Sequence, residues 1–146
     1  MTNAQSILNK QSELCALVDH NNCHLIGITE LWCTDSVNDS ELHLKGCNLF
    51  RANKKSGTGG GVLLYLHESL SAALCVPFMD FGVDDALWCS VVLRDKEQLL
   101  IGIVYRSPSS SDDNNGRLLS AIKSINNFNH FSQVLLIGDF NVPGIN

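Results

Sequence analysis

Five short apolar runs constrain the fold of this chain more than any other feature of its sequence. Their sequences are HLIGIT, GGVLLYLH, DALWCSVVLR, QLLIGIVYR and QVLLIGDF, at residues 24–29, 60–67, 85–94, 98–106 and 133–140. Each run has the length of a strand, and several are apolar along their whole length, as in strands that are covered on both faces. The polar residues 95–97 between the third and fourth runs predict a hairpin.

Two amphipathic segments accompany the strands. The apolar positions of residues 5–20 and of residues 115–128 fall near one helical stripe in each segment: Ile7, Leu14, Leu17 and Val18 in the first, and Leu118, Leu119, Ile122 and Ile125 in the second. Residues 31–59 are polar and turn-rich apart from an apolar patch at 48–50, and residues 107–116 predict a surface loop. This order predicts an α/β (α+β) fold with a mixed sheet, in one domain over residues 1–146.

Composition excludes several classes of protein. Apolar residues make up 45% and charged residues 17% of the chain, which is typical of globular domains and not of disordered ones. No apolar run approaches the roughly 18 residues of a membrane helix, and the N-terminus has no basic segment followed by an apolar core. The six cysteines form no C-x-x-C pair, which favours buried free thiols over a disulfide framework. We therefore expect an intracellular protein with no membrane partner and no targeting signal in this chain.

The charge balance bears on nucleic acid as a partner. The net charge is −5, whereas a protein that neutralises many phosphates usually has a basic face. The group of cations that comes nearest to a basic patch is Arg51, Lys54 and Lys55, which are predicted to lie in one loop. Charge alone therefore argues against nucleic acid, unless a bound metal ion supplies the positive charge.

Polar side chains follow three of the apolar runs. Glu30 follows HLIGIT, Tyr105 follows LLIGIV, and Asp139 follows VLLIG. A polar group at the end of a buried strand costs free energy unless it has a partner or a task there. Function commonly collects at strand ends in α/β folds. We expect these three side chains to converge at one end of the sheet.

Two local patterns have a plain structural explanation beside a functional one. In the last run, strand alternation sends Asp139 and Asn141 to one side and Phe140 to the other, although an Asx turn also accounts for a bare D-x-N. The glycine run SGTGGGV fits neither of the glycine-rich phosphate-binding motifs, so it predicts a turn that enters a strand.

Taken together, the segments resemble the endonuclease/exonuclease/phosphatase superfamily. The matching features are Asn3 in TNAQSILNK, Glu30 in LIGITELW, the glycine run in SGTGGGVLLYL, Tyr105 in IGIVYRSPSS, and LLIGDFNVPGIN at the end. The details ITE-x-W, GGGVLLY and VYRSPSS are most similar to the endonuclease domain of LINE-type (non-LTR) retrotransposons. The resemblance implies a two-sheet sandwich flanked by helices that hydrolyses DNA. In a complete element it also implies a C-terminal reverse transcriptase region and action in the nucleus.

The resemblance also implies a role for each matching residue. Glu30 would hold the catalytic divalent ion, Mg²⁺ (or Mn²⁺), which prefers hard oxygen ligands. Asn3 would lie beside that ion, and Tyr105 would contact the scissile phosphate. Asp139 would orient or deprotonate the attacking water, and Asn141 would stabilise charge on the pentavalent phosphorus.

The sequence also departs from the family pattern. Complete members carry a later Asp and a near-terminal Ser-Asp-His, with a second metal-side Asp and the catalytic His, and these 146 residues contain no counterpart. We therefore expect an incomplete domain whose C-terminal part is missing, with little nuclease activity of its own. Whether the chain is an enzyme stays open at this point. The alternatives are a catalytically dead relic fragment and a phosphatase of the same superfamily that acts on a small phosphoester.

Overall fold

Eight strands lie in the part of the chain that the structure, a computed structural model, describes: residues 2–3, 10–21, 23–31, 37–52, 60–128 and 130–141. In chain order the elements are β1 (Thr2–Asn3), α1 (Gln11–Asn21), β2 (Leu25–Thr29), β3 (Cys47–Ala52), β4 (Val62–His67), β5 (Ser71–Leu74), α2 (Val76–Met79), β6 (Ala86–Val92), β7 (Gln98–Tyr105), α3 (Asp112–Ser124) and β8 (Gln133–Asp139). Single 3₁₀ turns lie at Asp39–Glu41, Arg94–Lys96 and Ile125–Asn127.

The strands form two four-stranded sheets of mixed direction. The first sheet has the order β1-β2-β4-β3 and the second the order β5-β6-β7-β8. β1 runs parallel to β2 and β8 parallel to β7, while the other neighbours are antiparallel. A tight turn joins β6 to β7, whereas a parallel partner needs a long crossover, which α3 supplies between β7 and β8. As a result, β7 and β8 end at the same edge of the sheet.

Apolar side chains on both faces of the central strands explain why the runs do not alternate. Between the two sheets lie the buried residues Val62, Leu64, Leu66, Leu87, Cys89, Val91, Ile101 and Ile103. On its outer face β4 presents Leu63 and Tyr65 to the cluster that includes Leu14 of α1. The outer faces of β6 and β7 pack against α2 and α3 through Trp88, Leu100, Val104, Phe78, Leu118 and Ala121. Burying one such aliphatic or aromatic side chain contributes about 1.5–3 kcal/mol.

Trp88 requires a glycine on the neighbouring strand. The Trp88 ring is 1% exposed and lies over Gly102, its registered partner on β7. A Cβ added to Gly102 would come within 2.4 Å of Trp88 Cζ3 and 2.9 Å of Leu136 Cδ1. The indole therefore occupies the space where a side chain of β7 would otherwise stand.

The predicted two-sheet sandwich flanked by helices is confirmed, and the differences concern short elements. β3 lies in the stretch predicted to be turn-rich, and β5 was not predicted. Helix α3 begins at Asp112 inside the predicted loop, because the Ser111 hydroxyl caps it by accepting the Asn114 N–H at 3.2 Å. Residues 5–9 of the predicted first helix lie outside the described residues. The hairpin between β6 and β7 is as predicted.

Two expectations about side chains and membranes can also be compared with the structure. All cysteines in the described ranges are free; Cys75 and Cys89 are buried as expected, whereas Cys15 is exposed. Among the described residues, none of the helices combines the length and the apolar character that crossing a bilayer requires.

A pair of glycine substitutions tests the packing around Trp88. Gly102→Ala is expected to lower the free energy of unfolding by about 1–3 kcal/mol, because either the indole or the β7 backbone must move. Gly116 lies in α3 with no atom within 4 Å of its added Cβ. Gly116→Ala is therefore expected to raise the free energy of unfolding by about 0.5–1 kcal/mol. Chemical denaturation of both variants measures the two shifts, and equal effects would contradict the packing described.

Candidate functional site

The ends of β2, β7 and β8 bring three of the predicted site residues together. Tyr105 is the last residue of β7 and is registered with Asp139, the last residue of β8. The Tyr105 hydroxyl donates a hydrogen bond to the carboxylate of Glu30, which directly follows β2 in the other sheet. All three residues are half-buried. The predicted convergence of strand ends is therefore present, and it spans both sheets.

Asn3 lies at the same end of the first sheet. β1 pairs with β2 in parallel, and Asn3 is registered with Thr29, the residue before Glu30. This places the backbone of Asn3 beside the strand that carries Glu30. The Asn3 side chain lies outside the part of the chain that the structure describes, so its predicted role stays a prediction.

Asn141 reaches the site by a different route from the one predicted. β8 ends at Asp139, and Asn141 has a φ of +36°, so strand alternation does not extend to it. Its position is set by a turn in which its Nδ2 donates to the Arg106 carbonyl at 3.2 Å. Asn141 therefore lies beside the residue that follows Tyr105, held by hydrogen bonds and not by the sheet.

Arg106 holds this turn and was not found by sequence reasoning. Its backbone N–H donates to the Asp139 carbonyl at 2.8 Å, and its guanidinium donates to the carbonyls of Phe140 at 3.4 Å and Asn141 at 2.5 Å. Nε of the same guanidinium donates to Asn115 Oδ1 of α3 at 2.8 Å. One side chain thus fixes residues 139–141 relative to both β7 and α3. A basic residue directly after the Tyr105 motif was the available signal.

Asp85 joins the two sheets at the site, and it too was missed. Its Oδ1 accepts the Gly61 N–H at 2.7 Å, and its carbonyl accepts the Tyr105 N–H at 2.8 Å. Gly61 in turn accepts the Leu31 N–H at 3.3 Å. Gly60 and Gly61, the described glycines of the run, have φ values of +104° and +82°, which favour glycine, and they lead directly into β4.

Backbone strain is concentrated at this end of the molecule. Five residues other than glycine have positive φ within the described ranges, and three of them, Glu30 at +55°, Asp85 at +52° and Asn141 at +36°, belong to this cluster. The other two, Asp95 and Lys96, form the β6–β7 turn. Such conformations cost on the order of 1–3 kcal/mol each and persist where the surroundings enforce them, which is common at functional sites.

The electrostatics of the cluster keep Tyr105 protonated. Burial raises its pKa to about 12, with further increases from its hydrogen bond to Glu30 and from the negative charges of Glu30, Asp139 and Asp85. The phenol is therefore a hydrogen-bond donor throughout the physiological pH range.

The donor atoms fit a magnesium ion that keeps most of its water. Mg²⁺ prefers carboxylate and amide oxygens, and it is commonly held by one or two carboxylates plus water. Glu30 and its neighbours offer such hard oxygens. No group of three or more His, Cys, Asp or Glu within the described ranges forms a closed metal cage. The residues therefore fit a hydrated ion held through Glu30, and not a fully protein-ligated one.

Arg51, predicted to be part of a basic loop, is already paired. It lies in β3, where Nε is 2.9 Å from Asp39 Oδ1 and an Nη donates to the Val37 carbonyl at 2.8 Å. Lys54 and Lys55 lie outside the described residues. Asp39 thus neutralises the charge of Arg51, the described residue of the predicted basic patch.

Solved structures with the same architecture identify the fold. They include the endonuclease domain of TRAS1, a telomere-specific non-LTR retrotransposon, with a TM-score of 0.67 and 14% identity over 98% of this chain and 58% of that chain. The endonuclease/exonuclease/phosphatase from Bacteroides vulgatus has a TM-score of 0.60 and 11% identity, over 91% of this chain and 57% of its own. The chain has the endonuclease/exonuclease/phosphatase fold.

A third structure with this fold is the 3′ phosphatase NExo from Neisseria bound to a product DNA hairpin, with a TM-score of 0.64 and 13% identity over 99% of this chain and 57% of that chain. The chain thus spans a little over half the length of the solved endonuclease/exonuclease/phosphatase structures that it matches. No family model matches the sequence, and a search of curated proteins found no match.

The pKa of Tyr105 gives a test of the cluster. Because the folded state holds the phenolic proton more tightly than the ordinary pKa of 10.0 would allow, the stability contributed by Tyr105 is full below pH 10 and is lost as the pH rises toward 12. NMR titration of the labelled Tyr105 ring is expected to show a midpoint near 12. Glu30→Gln should lower that midpoint, since it removes one negative charge, while Glu68→Gln on the exposed turn after β4 should not. A midpoint unchanged by Glu30→Gln would contradict the contact.

Arg106→Ala tests whether the 139–141 turn depends on its guanidinium. The variant leaves three acceptors without their donor, namely the carbonyls of Phe140 and Asn141 and the side-chain oxygen of Asn115. It is expected to lower the free energy of unfolding by about 1–3 kcal/mol. Hydrogen exchange should become faster at residues 139–141 and stay unchanged in β3 and β4. Arg94→Ala, on the exposed β6–β7 turn, is the matched control and should stay within about 0.5 kcal/mol of the wild type.

Proposed function

We propose that the chain is the metal-dependent phosphodiesterase, a DNA endonuclease domain, of a retrotransposon-derived protein. The observation that carries the proposal is the meeting of Glu30, Tyr105 and Asp139 across two sheets, at strand ends that also carry backbone strain. The TRAS1 endonuclease domain and the DNA-bound NExo structure support DNA as the substrate class, since both share the fold. In the full element, action in the nucleus and an accompanying C-terminal reverse transcriptase region belong to the same proposal.

The proposed mechanism assigns a separate task to each side chain. Glu30 would hold Mg²⁺ or Mn²⁺, with Asn3 beside it, and the bound ion would polarise a phosphoryl oxygen. Asp139 accepts a proton from the water that attacks the phosphorus in line with the leaving oxygen. Tyr105, which stays protonated, would turn its single O–H from Glu30 to a non-bridging phosphate oxygen when the substrate is bound. The Asn141 amide stabilises the negative charge that develops on the phosphoryl group.

The geometry favours this proposal over the two alternatives. A phosphatase for small phosphoesters would share the same core, and NExo is described as a 3′ phosphatase. The cavity next to Tyr105 is lined by carboxylates, hydroxyls and apolar groups, with no Lys, Arg or His among its lining residues. A polyphosphorylated small molecule would find no cation there. For a relic without function, the retention of strained residues at the site would be unexplained.

An activated phosphodiester gives the sharpest test. Nitrophenolate leaves without being protonated, so hydrolysis of bis(4-nitrophenyl) phosphate does not need the histidine of the Ser-Asp-His motif, which this sequence lacks. With Mg²⁺ or Mn²⁺, the chain is expected to release nitrophenolate, whereas nicking of supercoiled plasmid by the 146 residues should stay near background. Asp139→Asn is expected to lower the rate by about 10²-fold or more, and Glu30→Gln should remove the metal dependence.

The matched control is again Glu68→Gln, a carboxylate on the exposed turn that follows β4, which should leave the rate unchanged. Circular dichroism of each variant checks that the fold is retained. Two results would refute the proposal: no metal-dependent hydrolysis by the wild type, or hydrolysis that is equally fast in Glu30→Gln and Asp139→Asn.

A further inference from the structure

A cavity of about 400 Å³ lies beside Tyr105 and Asp85, both of which line it. Its walls are the segment between α2 and β6 and the serine-rich segment between β7 and α3. The residues used in the argument are Met79, Val83, Asp84, Tyr105, Ser110 and Asn114. The volume lies in the range of cavities that bind small organic groups. Because Tyr105 lines the cavity and also contacts Glu30, the cavity opens next to the proposed phosphate position.

Asn114 holds the two walls of the cavity in place. It is 7% exposed, its Oδ1 accepts the Asp84 N–H at 2.8 Å, and its Nδ2 donates to Ser110 Oγ at 3.0 Å. Its own N–H is capped by the Ser111 hydroxyl at 3.2 Å. One buried amide therefore ties together the wall before β6 and the wall before α3. A cavity braced in this way is formed before any ligand enters, which lowers the cost of binding.

The chemistry of the lining selects against anions. The lining includes the carboxylates of Asp84 and Asp85 and the hydroxyls of four serines, and it contains no Lys, Arg or His. Arg117 approaches from α3, but its guanidinium is engaged by Asp84 at 3.6 Å and Asp113 at 3.4 Å, and it does not line the cavity. A phosphate group would find no cation among the lining residues. A neutral group with apolar faces and N–H donors at its edge fits the combination of Met79, Val83 and the acidic wall.

We propose that this cavity binds the nucleobase of the nucleotide next to the scissile phosphate, with preference for bases that carry an exocyclic amino group. The proposal rests on the proposed phosphodiesterase function, because that function places a polynucleotide at Tyr105. Carboxylates only accept hydrogen bonds, so Asp84 favours the amino groups of adenine, cytosine and guanine. Thymine has no exocyclic amino group, and its one ring N–H lies between two carbonyl oxygens, which a carboxylate repels. Arg117 engages Oδ2 of Asp84 at 3.6 Å, so Oδ1 is the oxygen that would accept from the base.

The experiment measures nucleoside binding without catalysis. Deoxyadenosine, deoxycytidine, thymidine and free deoxyribose are titrated into the chain in EDTA, and amide shifts of Asp84, Ser110 and Asn114 are followed by NMR. Deoxyadenosine and deoxycytidine are expected to bind roughly threefold to tenfold more tightly than thymidine, the ratio that one hydrogen bond provides. Deoxyribose alone should cause no comparable shifts.

Two variants and one matched control identify the cavity as the binding site. Asp84→Asn adds a donor in place of the carboxylate, so the preference over thymidine should disappear or reverse. Ser109→Trp, at an exposed position on the rim, should weaken the binding of all three nucleosides by filling the cavity. Asp113→Asn is the control, because Asp113 also pairs with Arg117 but does not line the cavity. It should leave the preference unchanged.

The outcomes separate this inference from the proposed function. Equal binding of the three nucleosides, shifts caused by deoxyribose alone, or a preference that survives both Asp84→Asn and Ser109→Trp would overturn the base subsite. This holds even if the activated diester is hydrolysed as expected. A base preference that follows the variants, combined with no metal-dependent hydrolysis, would leave a nucleoside-binding cavity and refute the phosphodiesterase.

Discussion

The burial of apolar side chains between two facing sheets is the interaction on which the rest of this structure depends. The inward side chains of β4, β6 and β7, such as Leu64, Leu87 and Ile101, form one continuous layer with almost no exposure. Because the same strands also bury their outer faces under α1 and α3, they have little freedom to shift in register. The ends of these strands are therefore fixed points, and polar residues placed there are held without contributing to the core themselves.

A network of polar hydrogen bonds lies at the ends of these strands. Asp85 ties the glycine turn before β4 to the backbone of Tyr105, and Arg106 ties the turn after β8 to β7 and α3. Buried hydrogen bonds of this kind add modest stability, but leaving one partner unsatisfied is costly. They allow Glu30, Asp85 and Asn141 to keep left-handed backbone conformations that an isolated peptide would avoid. Strain of this kind is stored where the sandwich is rigid enough to enforce it.

Electrostatics give the site its character. The chain is acidic overall. Arg51, the described residue of the predicted basic patch, is neutralised by Asp39. At the strand ends, burial and the neighbouring negative charges of Glu30, Asp139 and Asp85 raise the pKa of the Tyr105 phenol. A polyanion would be repelled by such a surface unless a divalent ion intervened. The same negative potential continues into the neighbouring cavity, where it would select for hydrogen-bond donors. The proposed metal dependence and the proposed base preference therefore have a common physical origin.

The sequence by itself determined the strands β2, β4, β6, β7 and β8, the β6–β7 hairpin, and the polar residues at the ends of β2, β7 and β8. These features are local, since apolar length and the first polar residue after it can be read without knowing the partners. The sequence did not determine the strands β3 and β5, because their exposure is mixed and only pairing with β4 and β6 makes them strands. Nor did it show the positions of Asp85, Arg106 and Asn141. Asp85 precedes a strand whose start meets the end of β7, and Asn141 lies beyond the last strand in a turn held by Arg106. The hydrogen bond between Asp85 and Gly61 joins residues 24 positions apart, and those between Arg106 and Asn141 join residues 35 positions apart. Only the packing of two sheets, which brings distant segments to one edge, could decide them.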